Sequence, residues 1–264
     1  MSNILIIGAT RGLGASLATH YASLPTTSTV YATTRSFKTP ESPKHDKIRW
    51  LLNVDISEAD VGYTLVSQII PDSQTLDMVI VNAGYFGSES FDGPDWQKEV
   101  RMYTTSAIGP VFAIQALVKR NLVRSGGKFI LISSEAGSIT LRHESEGGGN
   151  YGHHASKAAL NMVGKLLSLD LKDKGIAVGM VHPGFMRTEM TRGVGFDKYY
   201  ESGGAVTPDE AAKSLVEFVD KDFGIEKTGT FWAPRGPRDI GTAEPVLGKN
   251  LPTPLELPCN IYIT

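Results

Sequence analysis

Asn3-Ile4-Leu5-Ile6-Ile7-Gly8-Ala9-Thr10-Arg11-Gly12-Leu13-Gly14 is the stretch that decides the fold. An apolar, β-branched run stops at Gly8, and a helical pattern opens at Gly12. Glycine tolerates the close backbone approach that a tight strand-to-helix turn requires. The N–H groups at the start of the helix are then left to face an anion. Glycines also serve ordinary strand–helix turns. Here they sit between the first strand and first helix of an alternating chain, which favours a nucleotide pyrophosphate as the anion. The candidate contacts at this turn are Gly8, Thr10, Arg11, Gly12, Leu13 and Gly14.

Outward from the turn, short β-branched runs keep alternating with longer helical patterns. Strands are predicted at 3–8, 30–34, 48–53, 78–82, 128–133, 177–182 and 230–233, and helices from near Gly12, Ser57, Asp95, Asn150 and Thr207. Several strands are apolar at nearly every position (ILII, MVIV, FILI), as strands covered by helices on both faces are. Thr207-Pro208-Asp209-Glu210 reads as a capped helix start, with Thr at the N-cap, Pro at N1 and Glu at N3. The predicted architecture is α/β: one domain over 1–233 on a doubly wound parallel sheet of about seven strands. Residues 142–149, polar and Gly-rich, are predicted as a loop. Residues 234–264 carry 6 of the 14 prolines (234, 237, 245, 252, 254, 258) and are predicted as an irregular tail.

Composition narrows the function. Among 264 residues, 26 Lys+Arg stand against 28 Asp+Glu, a net charge of −2, so nothing in the bulk charge favours nucleic acid or an anionic membrane as partner. The single cysteine, Cys259, excludes an intramolecular disulfide and any multi-cysteine zinc site. His153 and His154, adjacent on a helix, diverge by about 100° with no third ligand spaced to join them, so no metal is expected. With no basic leader and no window near the roughly 18 apolar residues of a membrane helix, the expected compartment is the cytoplasm.

About 20 residues past the glycine turn, an NAD binder places Asp or Glu against the ribose 2′-OH. This chain reads Tyr31-Ala-Thr-Thr-Arg35-Ser36, with no acid before Glu41. Arg35 with Arg11 is suited to clamp a 2′-phosphate; the competing reading is two solvated surface arginines. The missing acid favours NADP(H), with Arg35 and Ser36 as further candidate contacts.

The glycine turn 8–14, Asp55 after the third strand, Asn82-Ala83-Gly84, Ser133-Ser134, Ser156-Lys157 and His182-Pro183-Gly184 together resemble the short-chain dehydrogenase/reductase family. The resemblance runs from about 3 to 233. The phrases SKAALNM and HPGFMRTEM are similar to its small carbonyl-reductase subgroup, called sniffer-like or C-factor-like. It implies a Rossmann fold with Asp55 at the adenine edge and Asn82, Ala83 and Gly84 along the adenosine ribose. Lys157 would hold the nicotinamide ribose and depress the pKa of a neighbouring acid. Thr188, following Pro183-Gly184, would meet the carboxamide, and Ser134 would hydrogen-bond the substrate carbonyl. A substrate lid is implied at about 185–206. Met186, Met190, Phe196, Tyr199 and Tyr200 there point to a lipophilic small molecule or to simple packing. A homodimer or homotetramer is implied too, through the helix from Asp95 and helix 155–171. The apolar face of the latter (Ala155, Ala158, Ala159, Met162, Val163, Leu166, Leu167) is expected to be core and subunit contact.

Two positions depart from the family. Its proton-donating tyrosine, four residues before the lysine, is His153 here, and its helix-kinking asparagine, three before Gly109, is Ser106. Tyr151 lies six residues from Lys157, about 240° round a helix, unless the segment 150–153 is not helical. The catalytic candidates are therefore Ser106, Ser134, Tyr151, His153 and Lys157. The expected activity is NADP(H)-dependent reduction of an aldehyde or ketone, with His153 or a water as proton source. The alternatives are a non-redox isomerase or cyclase of specialised metabolism and a non-catalytic NADPH-binding protein.

Overall fold

The computed structural model describes residues 1–72, 75–142, 144–235 and 238–240. The chain runs β1 (Ser2–Ile7), α1 (Gly12–Ser23), β2 (Thr27–Thr33), β3 (Ile48–Leu51), α2 (Val61–Ile69), β4 (Leu76–Val81), α3 (Trp96–Tyr103) and α4 (Gly109–Lys119). It continues through β5 (Val123–Ile132), α5 (Tyr151–Lys172), β6 (Ala177–Val181), α6 (Glu189–Gly193), α7 (Pro208–Lys221), β7 (Phe231–Ala233) and β8 (Arg238–Asp239). The strands form one sheet in the order β3-β2-β1-β4-β5-β6-β7-β8. The first seven pair in parallel, and β8 runs antiparallel to β7.

The apolar strands have two cores to fill. Ile4 and Ile6 of β1 pack with Leu17, Leu215 and Phe218 of α1 and α7 on one face. Leu5 and Ile7 pack with Leu65, Ile114 and Leu117 of α2 and α4 on the other. Successive side chains leave a strand on opposite faces, so a strand buried on both sides shows no polar alternation. The chain winds outward from β1 through β2 and β3, and the other way through β4, β5, β6 and β7. The crevice at the carboxyl ends of β1 and β4 is therefore a topological switch point, where doubly wound sheets hold ligands. Among the described residues no helix is long and apolar enough to cross a membrane.

Several features differ from those predicted. Helix α2 starts at Val61 rather than near Ser57, because Asp55 Oδ1 accepts from both the N–H and the hydroxyl of Ser57 and holds an Asx turn there. The helix from Asp95 is interrupted by a π-helical stretch, Thr104–Ile108. Residues 142–149 contain a 3₁₀ turn, Glu144–Glu146, and His143 lies outside the described residues. None of the seven residues expected to form a core and subunit-contact face of helix 155–171 is fully buried: Ala155 is exposed and Ala158, Ala159, Val163 and Leu167 are half-buried. Met162 and Leu166 are exposed, while Gly152, Ser156, Lys157, Leu160, Gly164, Ser168 and Leu171 face inward. The predicted tail supplies β8 and the buried Ile240, so the sheet extends past residue 233; residues 241–264, with Cys259, lie outside the described ones. At Thr207 the capping box is present, with Glu210 N–H donating to the Thr207 hydroxyl and Glu210 accepting from Thr207 N–H.

Candidate active site

A cleft of about 370 Å³ opens at the switch point. It is lined by the predicted residues Gly8, Thr10, Arg11, Arg35, Asp55, Asn82, Ala83 and Gly84, and also by Thr33, Tyr85, Phe86, Arg101 and Glu189. The glycine turn is shaped by contact. Gly8 has φ +87°, and a Cβ there would lie 2.7 Å from Ala83 Cα. Asn82 Nδ2 donates to Gly8 O at 2.7 Å, and Gly8 N–H donates to Thr33 Oγ1 at 2.9 Å, which ties the turn to β4 and β2. Gly14 closes the helix onto the strand, since a Cβ would overlap the Gly8 carbonyl.

Helix α1 begins with no side-chain cap and no acidic residue in its first turn. Its first N–H groups and its dipole are thus left without a capping partner next to Thr10 and Arg11, which line the cleft, and such an end suits a pyrophosphate. The candidates at the turn divide. Gly12, Leu13 and Gly14 are not among the residues lining the cleft, and Leu13 is buried in the core through its side chain. Ser36 is exposed, and its hydroxyl accepts from Lys38 N–H rather than lining the cleft. The two arginines also part. Arg35 lies 3.9 Å from Asp55, whereas Arg11 donates to Glu189 Oε2 at 2.6 Å and so reaches α6. A 2′-phosphate would fall to Arg35.

The chemical end is built around α5. Asn150, at φ 52°, turns the chain into the helix, and the buried Glu89 accepts from Gly152 N–H at 2.5 Å. Because α5 is helical from Tyr151, Tyr151 and Lys157 point to different sides; Tyr151 is 40% exposed and Lys157 8%. Lys157 Nζ donates to Ile132 O at 2.7 Å, and burial pulls its pKa down to about 8. His153 stacks on Phe86 with ring centroids 4.1 Å apart and 18° between planes. Its Nδ1 is buried without a hydrogen-bond partner among the described residues. Burial first, then the charges of Lys157 and His154, push its pKa down to about 3. His154 is occupied elsewhere, at Asn150 O and the Arg142 guanidinium.

Ser134 caps a short 3₁₀ turn, Glu135–Gly137, accepting from Ala136 N–H and so keeping its own proton free to donate. That turn rests on α5: a Cβ on Gly137 would lie 2.6 Å from the Lys157 carbonyl carbon. Ser106 lies inside the π-helical stretch, buried, its hydroxyl without a partner among the described residues. Gly184 has φ +94° after the buried Pro183, and Thr188 caps α6, its methyl 3.7 Å from where a Gly12 Cβ would stand. Residues 186–206 leave and rejoin at a Met186–Val206 bridge. Phe196 from this excursion meets Phe86 edge-on at 5.6 Å, and Phe185 contacts Phe196 and Tyr200. Phe86 and Glu89 were missed in the sequence, where no motif marks them. The described residues bring no three His, Cys, Asp or Glu together as a metal site.

The chain belongs to the short chain dehydrogenase family, whose sequence model matches residues 2–198. It is 32% identical over 238 residues to the short chain dehydrogenase gsfK of Penicillium aethiopicum, covering 83% of this chain and 91% of that protein. It is similar in structure to the NADPH-bound carbonyl reductase from chicken fatty liver (TM-score 0.79, 25% identity, 92% of this chain and 99% of that one). It is also similar to the carbonyl reductase Sniffer of D. melanogaster (TM-score 0.74, 26% identity, 89% and 97%). It is an oxidoreductase-family chain of the Sniffer kind.

Proposed function

We propose that this chain is an NADP(H)-dependent reductase of aldehyde or ketone groups on lipophilic small molecules. The observation that carries the reading is continuity. Thr10 and Arg11, before the uncapped start of α1, and Arg35 line the same cleft as Phe86, and Phe86 stacks on His153, one helical turn from Lys157. NADPH, when bound, supplies the hydride that reduces the carbonyl carbon. Gly8, Thr10, Arg11, Gly12, Leu13 and Gly14 would cradle its pyrophosphate, Arg35 its 2′-phosphate and Asp55 its adenine. Asn82, Ala83 and Gly84 would lie along the adenosine ribose, Lys157 would hold the nicotinamide ribose, and Pro183, Gly184 and Thr188 the carboxamide. The Ser134 hydroxyl donates to the substrate oxygen and stabilises the charge that develops on it. Phe86, Phe196 and Phe185 form the wall that excludes water and favours an apolar substrate, with 185–206 as the lid. The exposed Ile108, Val111 and Phe112 around α4, and Met162, Leu166 and Leu169 of α5, form the face for a second copy of the chain.

The non-redox alternative would use His153 as a base. An imidazole held at about 3 is too weak for that role near neutral pH, which favours the reductase. The test is titration of the purified protein with NADPH and NADH, then NADPH consumption against aldehydes, diketones and aromatic ketones. Preferential NADPH binding with turnover supports the reading; binding without turnover of any carbonyl overturns it.

A further inference from the structure

We propose that Lys157 itself delivers the proton to the substrate oxygen, and that His153 serves as an aromatic wall rather than as the acid standing in for tyrosine. The inference deepens the reductase reading and rests on it. The ring of His153 is covered on one face by Phe86 and meets His154 at its edge, with centroids 5.4 Å apart. Among the described residues its Nδ1 has no acceptor to stabilise an added proton, and the charge of Lys157 opposes one. At pH 7 roughly one molecule in ten thousand would carry imidazolium, and a neutral imidazole N–H is far too weak an acid for the task.

Lys157 offers what His153 lacks. An ammonium has three donors, and Ile132 O takes one at 2.7 Å, which leaves two for a ribose hydroxyl and the substrate oxygen. The turn bearing Ser134 packs by Gly137 against the Lys157 backbone, and Lys157 Nζ is anchored on Ile132 O, two residues before Ser134 in the chain. Among the titratable groups on the elements around Lys157 are His153 and His154 on α5, Glu135 on that turn, His182 after β6, Glu89 before α3, and Lys98, Glu99 and Arg101 on α3. Glu135 lies 3.6 Å from His182, Glu89 bonds to Gly152, and no described ion pair reaches Lys157. Burial leaves Lys157 mostly charged at pH 7 yet a much stronger acid than an ordinary lysine, the condition for general acid catalysis. Bound NADPH would supply hydride to the carbonyl carbon, and the C=O π pair would move to the oxygen beside Ser134. That oxygen takes a proton from Lys157 Nζ. The neutral amine regains its proton from solvent, and the products are alcohol and NADP⁺.

Two readouts test this. In the cofactor-free protein, NMR titration should find His153 neutral from pH 8 down to 5 and the Lys157 side chain titrating near pH 8. In turnover, His153→Phe should lower kcat by less than about tenfold and keep the alkaline fall near pH 8. Lys157→Arg, which keeps a cation but cannot release its proton, should lower kcat by about a hundredfold or more while NADPH still binds. A His153 that titrates above pH 6, or turnover lost with His153→Phe, overturns the proposal alone. Wild-type protein that binds NADPH and reduces no carbonyl overturns the reductase reading, and this proposal with it.

Discussion

At the scale of single residues the site is governed by what surrounds a side chain rather than by its type. His153 is a histidine by sequence, but Phe86 covers one face and Lys157 adds a charge one helical turn away. The consequence reaches stability. The unfolded chain binds a proton at His153 near pH 6.5, and the folded chain does so near 3, so stability from this residue is complete above 6.5 and is lost as pH falls through that window. Between pH 7 and pH 5 the loss should be about 2 kcal/mol. Urea unfolding of wild type and His153→Phe at both pH values checks this: the variant should lose less on acidification by about that amount. The direction of the His153 shift was legible in the sequence, since Lys157 lies one helical turn away; its larger cause, burial, was not, because it depends on neighbours such as Phe86, a residue of no motif, brought up by the fold.

Elements show the same division between what a local pattern carries and what packing adds. Strands β1, β4 and β6 were legible because burial on both faces leaves an uninterrupted apolar run. The first half of β5 was not, since Arg124-Ser125-Gly126-Gly127 carries no such run. The capped start of α7 was legible because its capping residues are neighbours in sequence. The start of α5 is held instead by Glu89 from a distant loop, which no spacing reveals. Glu89→Ala should therefore fray the turn carrying Tyr151 and His153 and lower stability by about 1–2 kcal/mol. Glu89→Gln, which keeps an oxygen for Gly152 N–H, should recover most of it. Thermal unfolding, with hydrogen exchange at Gly152, reads both. The π-helical stretch at Thr104–Ile108 was equally hidden: its residues suit an ordinary helix, and the irregularity lies in backbone spacing, with Ser106 at its centre.

For the whole molecule, the order and spacing of short motifs was enough to read the doubly wound sheet and the place of the cleft. The sheet's closing strand β8 was not, lying in a proline-rich stretch that suggests no strand. Met162 and Leu166 stay exposed on α5 while its small residues face the core, and a monomer gains nothing from that apolar surface. Paired substitutions Met162→Asp and Leu166→Asp should shift sedimentation from dimer to monomer without lowering NADPH affinity more than about threefold. The glycine turn is also tied to the 186–206 excursion. Arg11 of the glycine turn holds Glu189 of the excursion, so an arriving pyrophosphate must compete with a carboxylate for the same guanidinium. On the proposed reductase reading, the nucleotide would enter first and free α6, the carbonyl compound would follow, and the alcohol would depart before the spent nucleotide. Product-inhibition patterns should show that obligatory order, and Glu189→Gln should relax it toward random addition.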